Sequence, residues 1–275
     1  MTDKVMSIHE AAGLVQPGDT LALGGMTLYR RPVAFVRELI RQGKGDLTLF
    51  ALTAGYESDL LVGAGLIKRV RTCYFGLEVF GLAPMFTRLA TAGKVQVIEE
   101  TEASIAFGLR AALAGVSFMP GQGWRETDIL RVRPDVQLVN DPYSERSYVA
   151  FPAIHPDVAV IHACAADRSG NAILGGNLAV DRELSLAAKK TIVTVERLVE
   201  GPALSPVEGL GGQADVLGVF VNAVVEAPRG AHPTSCYPDY PLTSEEILNY
   251  VEACAAGRFE EYLKEFVAEV DLREE

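Results

Sequence analysis

From Asp19 onward, short apolar runs alternate with helix-like segments, and glycines or prolines punctuate the joints. Asp19–Gly25 reads as a buried strand, and Pro32 suits the first turn of a helix that runs to Gly43. The same unit returns as strand Asp46–Thr53 with helix Glu57–Ala64, strand Lys68–Phe75 with helix Pro84–Ala92, and strand Val95–Glu99 with helix Glu102–Ala114. Strands that alternate with helices cannot pair as hairpins. They predict an α/β fold, an open and mainly parallel sheet with flanking helices, whose ligands sit at the carboxyl ends of the strands.

Ser7 and Glu10 have capping-box spacing ahead of this series, which predicts a short helix to about Val15. The stretch Pro120–Pro156, rich in Pro, Gly, Arg and Asp, predicts loops with short strands. The core resumes with the apolar run Val158–Ala165. A helix at Asp181–Lys189, a strand at Thr191–Val195 and another within Val216–Val225 follow. Residues 1–242 are expected to form the α/β domain, and 243–275 a helical extension of it, split at Gly257. Thr243 or Ser244 suits the cap of its first helix.

Composition narrows the function. With 49% hydrophobic residues in 275, the chain can bury a sizeable core, and a net charge of −11 repels nucleic acid at long range. The first ten residues carry Asp3 and Glu10 and no signal-like apolar stretch, and no long apolar span follows, so a cytoplasmic chain without a membrane segment is expected. Cys73, Cys164, Cys236 and Cys254 include no C-x-x-C pair, which suggests reduced thiols and no zinc site.

Several residues are candidates for chemistry. Gly24 and Gly25 close the first strand, where bare backbone amides suit an oxyanion or a phosphate, although two glycines also simply make a tight turn. Arg30 and Arg31 precede a helix start, where positive charge opposes the helix dipole; an anionic ligand explains them, as does a solvated pair. Glu99, Glu100 and Glu102 cluster where a strand gives way to a helix. Acids there favour the dipole, yet Glu102 at a strand's carboxyl end also suits acid–base work. Glu78, between Gly76 and Gly81, reads as a buried partner or a ligand contact. His162 and Cys164 share one face of a buried strand, and a satisfied core histidine is preferred there to a metal ligand. His232 lies in a turn-rich segment with Thr234, Ser235 and Cys236 that suits the lining of a site. Gly209–Ala214 matches the G-x-G-x-x-A dinucleotide pattern, but no strand precedes it and no helix follows.

Taken in order, Gly24-Gly25 with Pro32–Val36, Gly76–Gly81, Gly115–Pro120, Ala166–Ala172, Thr191–Glu196 and Val225–Cys236 give the chain a resemblance to the α subunits of family I coenzyme A transferases, above all to the α subunits of the glutaconate CoA-transferase branch. The resemblance implies the fold shared with ribose-phosphate isomerases, a homologous β subunit, commonly in an α2β2 assembly, and ping-pong transfer of CoA between carboxylic acids. It implies no permanently bound cofactor, only a CoA thioester as substrate. The nucleophilic glutamate of such enzymes belongs to the β subunit, and no S-E-N-G stretch occurs here, so this chain is expected to contribute Gly24 and Gly25 to a shared cleft. One branch resembling steroid ring-opening hydrolases works instead with an α-subunit glutamate, and the matching stretch Glu99–Ala112 places it at Glu102. Three readings follow: a transferase α subunit, a CoA-thioester hydrolase or C–C lyase subunit, and a non-catalytic sensor of a sugar phosphate or CoA ester.

Overall fold

A computed structural model describes residues 2–200 and 213–268. The capping box between Ser7 and Glu10 opens α1 (Ile8–Ala12). Then come β1 (Thr20–Leu23), α2 (Val33–Arg41), β2 (Leu47–Ala54), α3 (Tyr56–Gly63), β3 (Ile67–Phe75), α4 (Pro84–Thr91), β4 (Gln96–Glu99) and α5 (Glu102–Leu113). The boundaries lie within a few residues of those the apolar runs predict, because each run is closed by a glycine or a cap. Gly43 and Gly257 take positive φ beyond their helices, a conformation a side chain would strain.

The middle stretch is β5 (Phe118–Gly121), the single-turn α6 (Ile129–Val132), β6 (Gln137–Asn140) and β7 (Ser147–Pro152). Its strands form an antiparallel sheet of their own in the order β5-β7-β6. The chain re-enters the main sheet with β8 (Val158–Asp167), followed by β9 (Ala172–Ile173), α7 (Asp181–Ala187), β10 (Lys190–Val199) and β11 (Ala223–Glu226), and closes with α8 (Ser244–Ala255) and α9 (Phe259–Ala268).

The main sheet runs β11-β10-β8-β1-β2-β3-β4, with parallel pairs throughout and β9 set antiparallel on β8. β8 is buried along its whole length, as a central strand covered on both faces must be. Chain order reverses between β1 and β8, and the carboxyl ends beside that switch point carry Gly24-Gly25 on one side and the end of β8 on the other. One core, with Leu21, Leu23, Phe35, Leu39 and Val160, packs α1 and α2 on one face. A second, with Phe50, Ile105, Leu109, Ile161 and Leu184, packs α5 and α7 on the other. A third joins α8 and α9 to α3 and α4 through Tyr56, Leu60, Met85, Tyr250, Phe259 and Phe266. Among the described residues no helix is long and apolar enough to cross a membrane.

Candidate active site

The glycine turn after β1 is closed from within. Gly24 N donates to Val160 O at 2.9 Å, and Gly25 N donates to both carboxylate oxygens of Asp181 at 2.9 and 3.1 Å. Both amides are therefore committed to acceptors of this chain, which corrects the expectation that they face an open crevice. Close approach explains the residue type. A Cβ on Gly24 would lie 2.8 Å from Asp181 Oδ1, and one on Gly25, where φ is +75°, would lie 2.5 Å from the carbonyl oxygens of Tyr29 and Arg30.

The two arginines are not solvated and hold no exposed anion site. Arg30 is fully buried: its guanidinium meets Asp181 Oδ2 at 2.7 Å and donates to His162 O at 2.6 Å and Asn177 O at 2.9 Å. Arg31, also fully buried, donates through Nε and Nη2 to Glu57 Oε1 at 2.9 and 2.7 Å. The solvated-pair reading gives way to buried ion pairs, in which Arg30 Nε and Arg31 Nη1 have no hydrogen-bond partner among the described residues. The partner acids, Asp181 and Glu57, lie 151 and 26 positions further on.

His162 is the satisfied core histidine. Its Nδ1 lies 2.8 Å from Thr194 Oγ1 and its Nε2 2.7 Å from Glu196 Oε1. Glu196 also accepts from the Tyr240 hydroxyl and the Arg229 amide. Burial works against its charge, but the bonds from His162 and Tyr240 hold its carboxyl below the ordinary range. Sequence reasoning misses Glu57, Asp181 and Glu196. The one usable signal is an acid placed at or just beyond the end of an apolar run, as Glu196 is after Thr191–Val195.

His232 joins this side of the molecule, because Arg30 N donates to Ser235 O and Ala34 N to Gly230 O. Its Nε2 lies 3.0 Å from Thr243 Oγ1 and 3.1 Å from Glu246 Oε1. Burial, with Arg229 and Arg37 nearby, pushes its pKa down to about 4, so the ring is neutral near pH 7. Thr243 precedes α8 but makes no side-chain cap bond to it.

Glu78 and Glu102 lie apart from that group, at the ends of β3 and β4. Glu78 is exposed in a short 3-10 turn with φ +54°, not a buried partner, and its amide donates to the Tyr74 hydroxyl at 3.3 Å. Glu102 is the first residue of α5 and is exposed. Thr101 caps the helix, accepting from Ser104 N, and Trp124 Nε1 donates to its hydroxyl at 2.9 Å. The neighbouring Glu100 is buried and bonded to Arg71, Arg133 and Ser104, which leaves Glu99 and Glu102 as the acids of the cluster that face out. Burial, with the Glu102 charge adding, pushes the nearby Cys73 thiol up to about 11. Tyr74, Val79, Leu82 and Val97 are exposed along the same edge.

Residues 5–227 match the family model described as coenzyme A transferase. The chain belongs to the coenzyme A transferase family. It is 32% identical to the A-subunit of the glutaconate CoA-transferase of Acidaminococcus fermentans, over 99% of this chain and 90% of that one. It is 34% identical to the A-subunit of the 3-oxoadipate CoA-transferase of Pseudomonas knackmussii, over 86% and 83%. A cholesterol ring-cleaving hydrolase IpdA subunit of Rhodococcus jostii is also 34% identical, over 91% and 87%. A protein of Archaeoglobus fulgidus, 35% identical, is longer, and the chain spans 59% of it. Among solved structures, the Acidaminococcus fermentans glutaconate CoA-transferase superposes with a TM-score of 0.88 at 31% identity, covering 96% of this chain and 88% of that one. A variant of the decarboxylase AibA/AibB superposes with 0.87 at 31%, covering 98% and 100%. The expected α/β fold of this family is therefore present, and relatives that carry a subunit name are subunits of larger enzymes. The glycines of the dinucleotide-like motif, Gly209, Gly211 and Gly212, lie outside the described residues; a 3-10 turn and β11 follow, not the helix that motif requires.

Proposed function

We propose that this chain is the α subunit of a heteromeric, cytoplasmic CoA-transferase that moves CoA between an acyl-CoA and a small or dicarboxylic acid. The family match over residues 5–227 carries the reading. The site geometry supports a divided active site. Arg30 and Arg31 at the switch point are paired with Asp181 and Glu57, while the outward carboxylates Glu78 and Glu102 stand at a sheet edge with apolar side chains beside them. A homologous β subunit, in an α2β2 assembly, covers that edge and supplies the nucleophilic glutamate.

In that scheme the partner's carboxylate attacks the thioester carbonyl and expels CoA thiolate, leaving a mixed anhydride. The thiolate then attacks the glutamyl carbonyl and releases the first acid, and the acceptor acid reverses the two steps. Because Gly24 and Gly25 donate internally, this chain's part at the switch point is rigid support. Its contribution to the substrate side lies at the ends of β3 and β4, with Glu78 and Glu102.

The exposure of Glu102 favours one second reading, a CoA-thioester hydrolase or C–C lyase in which this carboxylate is the base. Glu102→Gln in the reconstituted pair separates the two. A transferase keeps more than about a tenth of its CoA transfer, since its attacking group lies elsewhere; a hydrolase loses about 100-fold or more, the usual worth of a general base. Loss of turnover on that scale would replace the transferase reading by the second one.

A further inference from the structure

Two thiols face one another in the interior, away from the β3–β4 edge. Cys164 lies on β8 and Cys236 between β11 and α8; both are fully buried, with their Sγ atoms 3.8 Å apart across 72 positions of chain. Cys164 Sγ lies 3.3 Å from Tyr237 O and 3.4 Å from Leu174 O. Gly175 keeps room beside it, since a Cβ there would come within 3.0 Å of this sulfur. A carboxylate oxygen of Asp239 lies within 4.8 Å of both sulfurs.

Such a cluster suits either a metal ion or a disulfide, and the surrounding charge distinguishes them. Asp239 is already paired with Arg197 at 2.6 Å, and the Arg30 guanidinium acts on both sulfurs. A divalent cation would have to draw Asp239 away from Arg197, whereas a disulfide needs only the two facing sulfurs. The hydrogen bond from Cys236, helped by Arg30 and Arg197, holds the Cys164 thiol below its ordinary value, while the same bond and burial hold Cys236 above it. Cys164, whose sulfur is acted on by Arg197 as well as Arg30, is taken as the attacking sulfur and Cys236 as the resolving one.

We propose that Cys164 and Cys236 form an oxidisable pair that a hydroperoxide converts into an intrachain disulfide. The Cys164 thiolate attacks a peroxide oxygen, the O–O bond breaks, and the leaving oxygen departs as water or alcohol with one proton. The Cys236 sulfur then attacks the resulting sulfenic acid, the S–O bond breaks, and water leaves with the Cys236 proton. Two electrons pass from the sulfurs to the peroxide. The sulfurs close from 3.8 Å to the bonded distance of about 2.05 Å. The bond ties β8 to the segment whose Thr234 hydroxyl and Ser235 carbonyl hold the amides of Arg31 and Arg30.

The test treats the native full chain with hydrogen peroxide, alkylates it under denaturing conditions and maps the peptides by mass spectrometry. A Cys164–Cys236 cross-linked peptide, two hydrogens lighter than its parts and cleaved by dithiothreitol, is expected, with Cys73 and Cys254 not joined to either. The oxidised form should also melt at least about 5 °C higher, as closure of a long loop predicts. In Cys236→Ser, Cys164 should instead be trapped by a sulfenic-acid probe. Alkylation of both cysteines at a peroxide dose that oxidises Cys73 would overturn the proposal. So would stoichiometric zinc, added alone to the reduced chain, that shields both thiols, since it would make the cluster a metal site.

Discussion

The carboxyl ends of β1 and of β4 have the same place in an α/β sheet and opposite characters. Beyond β1, the switch point is packed with this chain's own charges, Arg30 on Asp181 and Arg31 on Glu57, all fully buried. Beyond β4, a capped helix presents Glu102 outward, and exposed Tyr74, Val79 and Leu82 stand on the adjoining strand and turn. These pairs bind the arginines to carboxylates of this chain, while Arg30 Nε, Arg31 Nη1 and Glu57 Oε2 have no hydrogen-bond partner among the described residues. The contrast separates a region whose charges are paired within the chain from an edge that carries an exposed carboxylate and exposed apolar side chains.

The largest effect that breaks this contrast is expected at the switch point. Asp181→Ala leaves Arg30 buried without its carboxylate and Gly25 N without an acceptor, and should destabilise the fold by about 3–5 kcal/mol. Denaturant unfolding measures it; unchanged stability with weakened ligand binding would make the pair an anion site after all. Gly25→Ala should cost about 2–3 kcal/mol, because a side chain at φ +75° is strained and its Cβ collides with two carbonyl oxygens. Thermal melting checks that figure.

A third prediction concerns pH. Burial raises Asp59 to about 6, against hydrogen bonds from Tyr250 and the α4 amides of Phe86 and Met85. A carboxyl raised in the folded state favours folding when protonated, so its contribution is full below about pH 4 and is lost as pH rises through about 6, up to about 3 kcal/mol. His232, lowered to about 4, acts in the opposite direction over this window. The difference in unfolding free energy between wild type and Asp59→Asn therefore isolates the effect. It should slope between pH 4 and 6, and a flat difference would refute the assignment. The smallest effect is at the open edge, where Glu102→Gln should change stability by less than about 1 kcal/mol, the worth of an exposed acid in a first helical turn. A loss above about 2 kcal/mol would mean that Glu102 is a structural acid like Glu100.

The main sheet is legible in the sequence because each strand is an apolar run closed by a turn or a cap, and burial of such runs is a local property of sequence. The second sheet is not: β6 is mostly exposed and β5 contains Pro120, so neither shows a clean period of two. The position of Glu102 is legible, because the strand and the capped helix that meet there are. What is not legible at Gly24-Gly25, Arg30 and Arg31 is the partners Asp181 and Glu57, which arrive through tertiary structure. A pair of arginines before a helix looks the same in sequence whether it awaits an anion or already holds one.

The claim that half of an active site resides here is tested most directly by following labelled CoA from an acyl-CoA to a free carboxylic acid, with the purified chain by itself and after reconstitution with its homologous partner. Transfer by the reconstituted pair, with none above background from the single chain, is the predicted result. Full transfer by the single chain would contradict it.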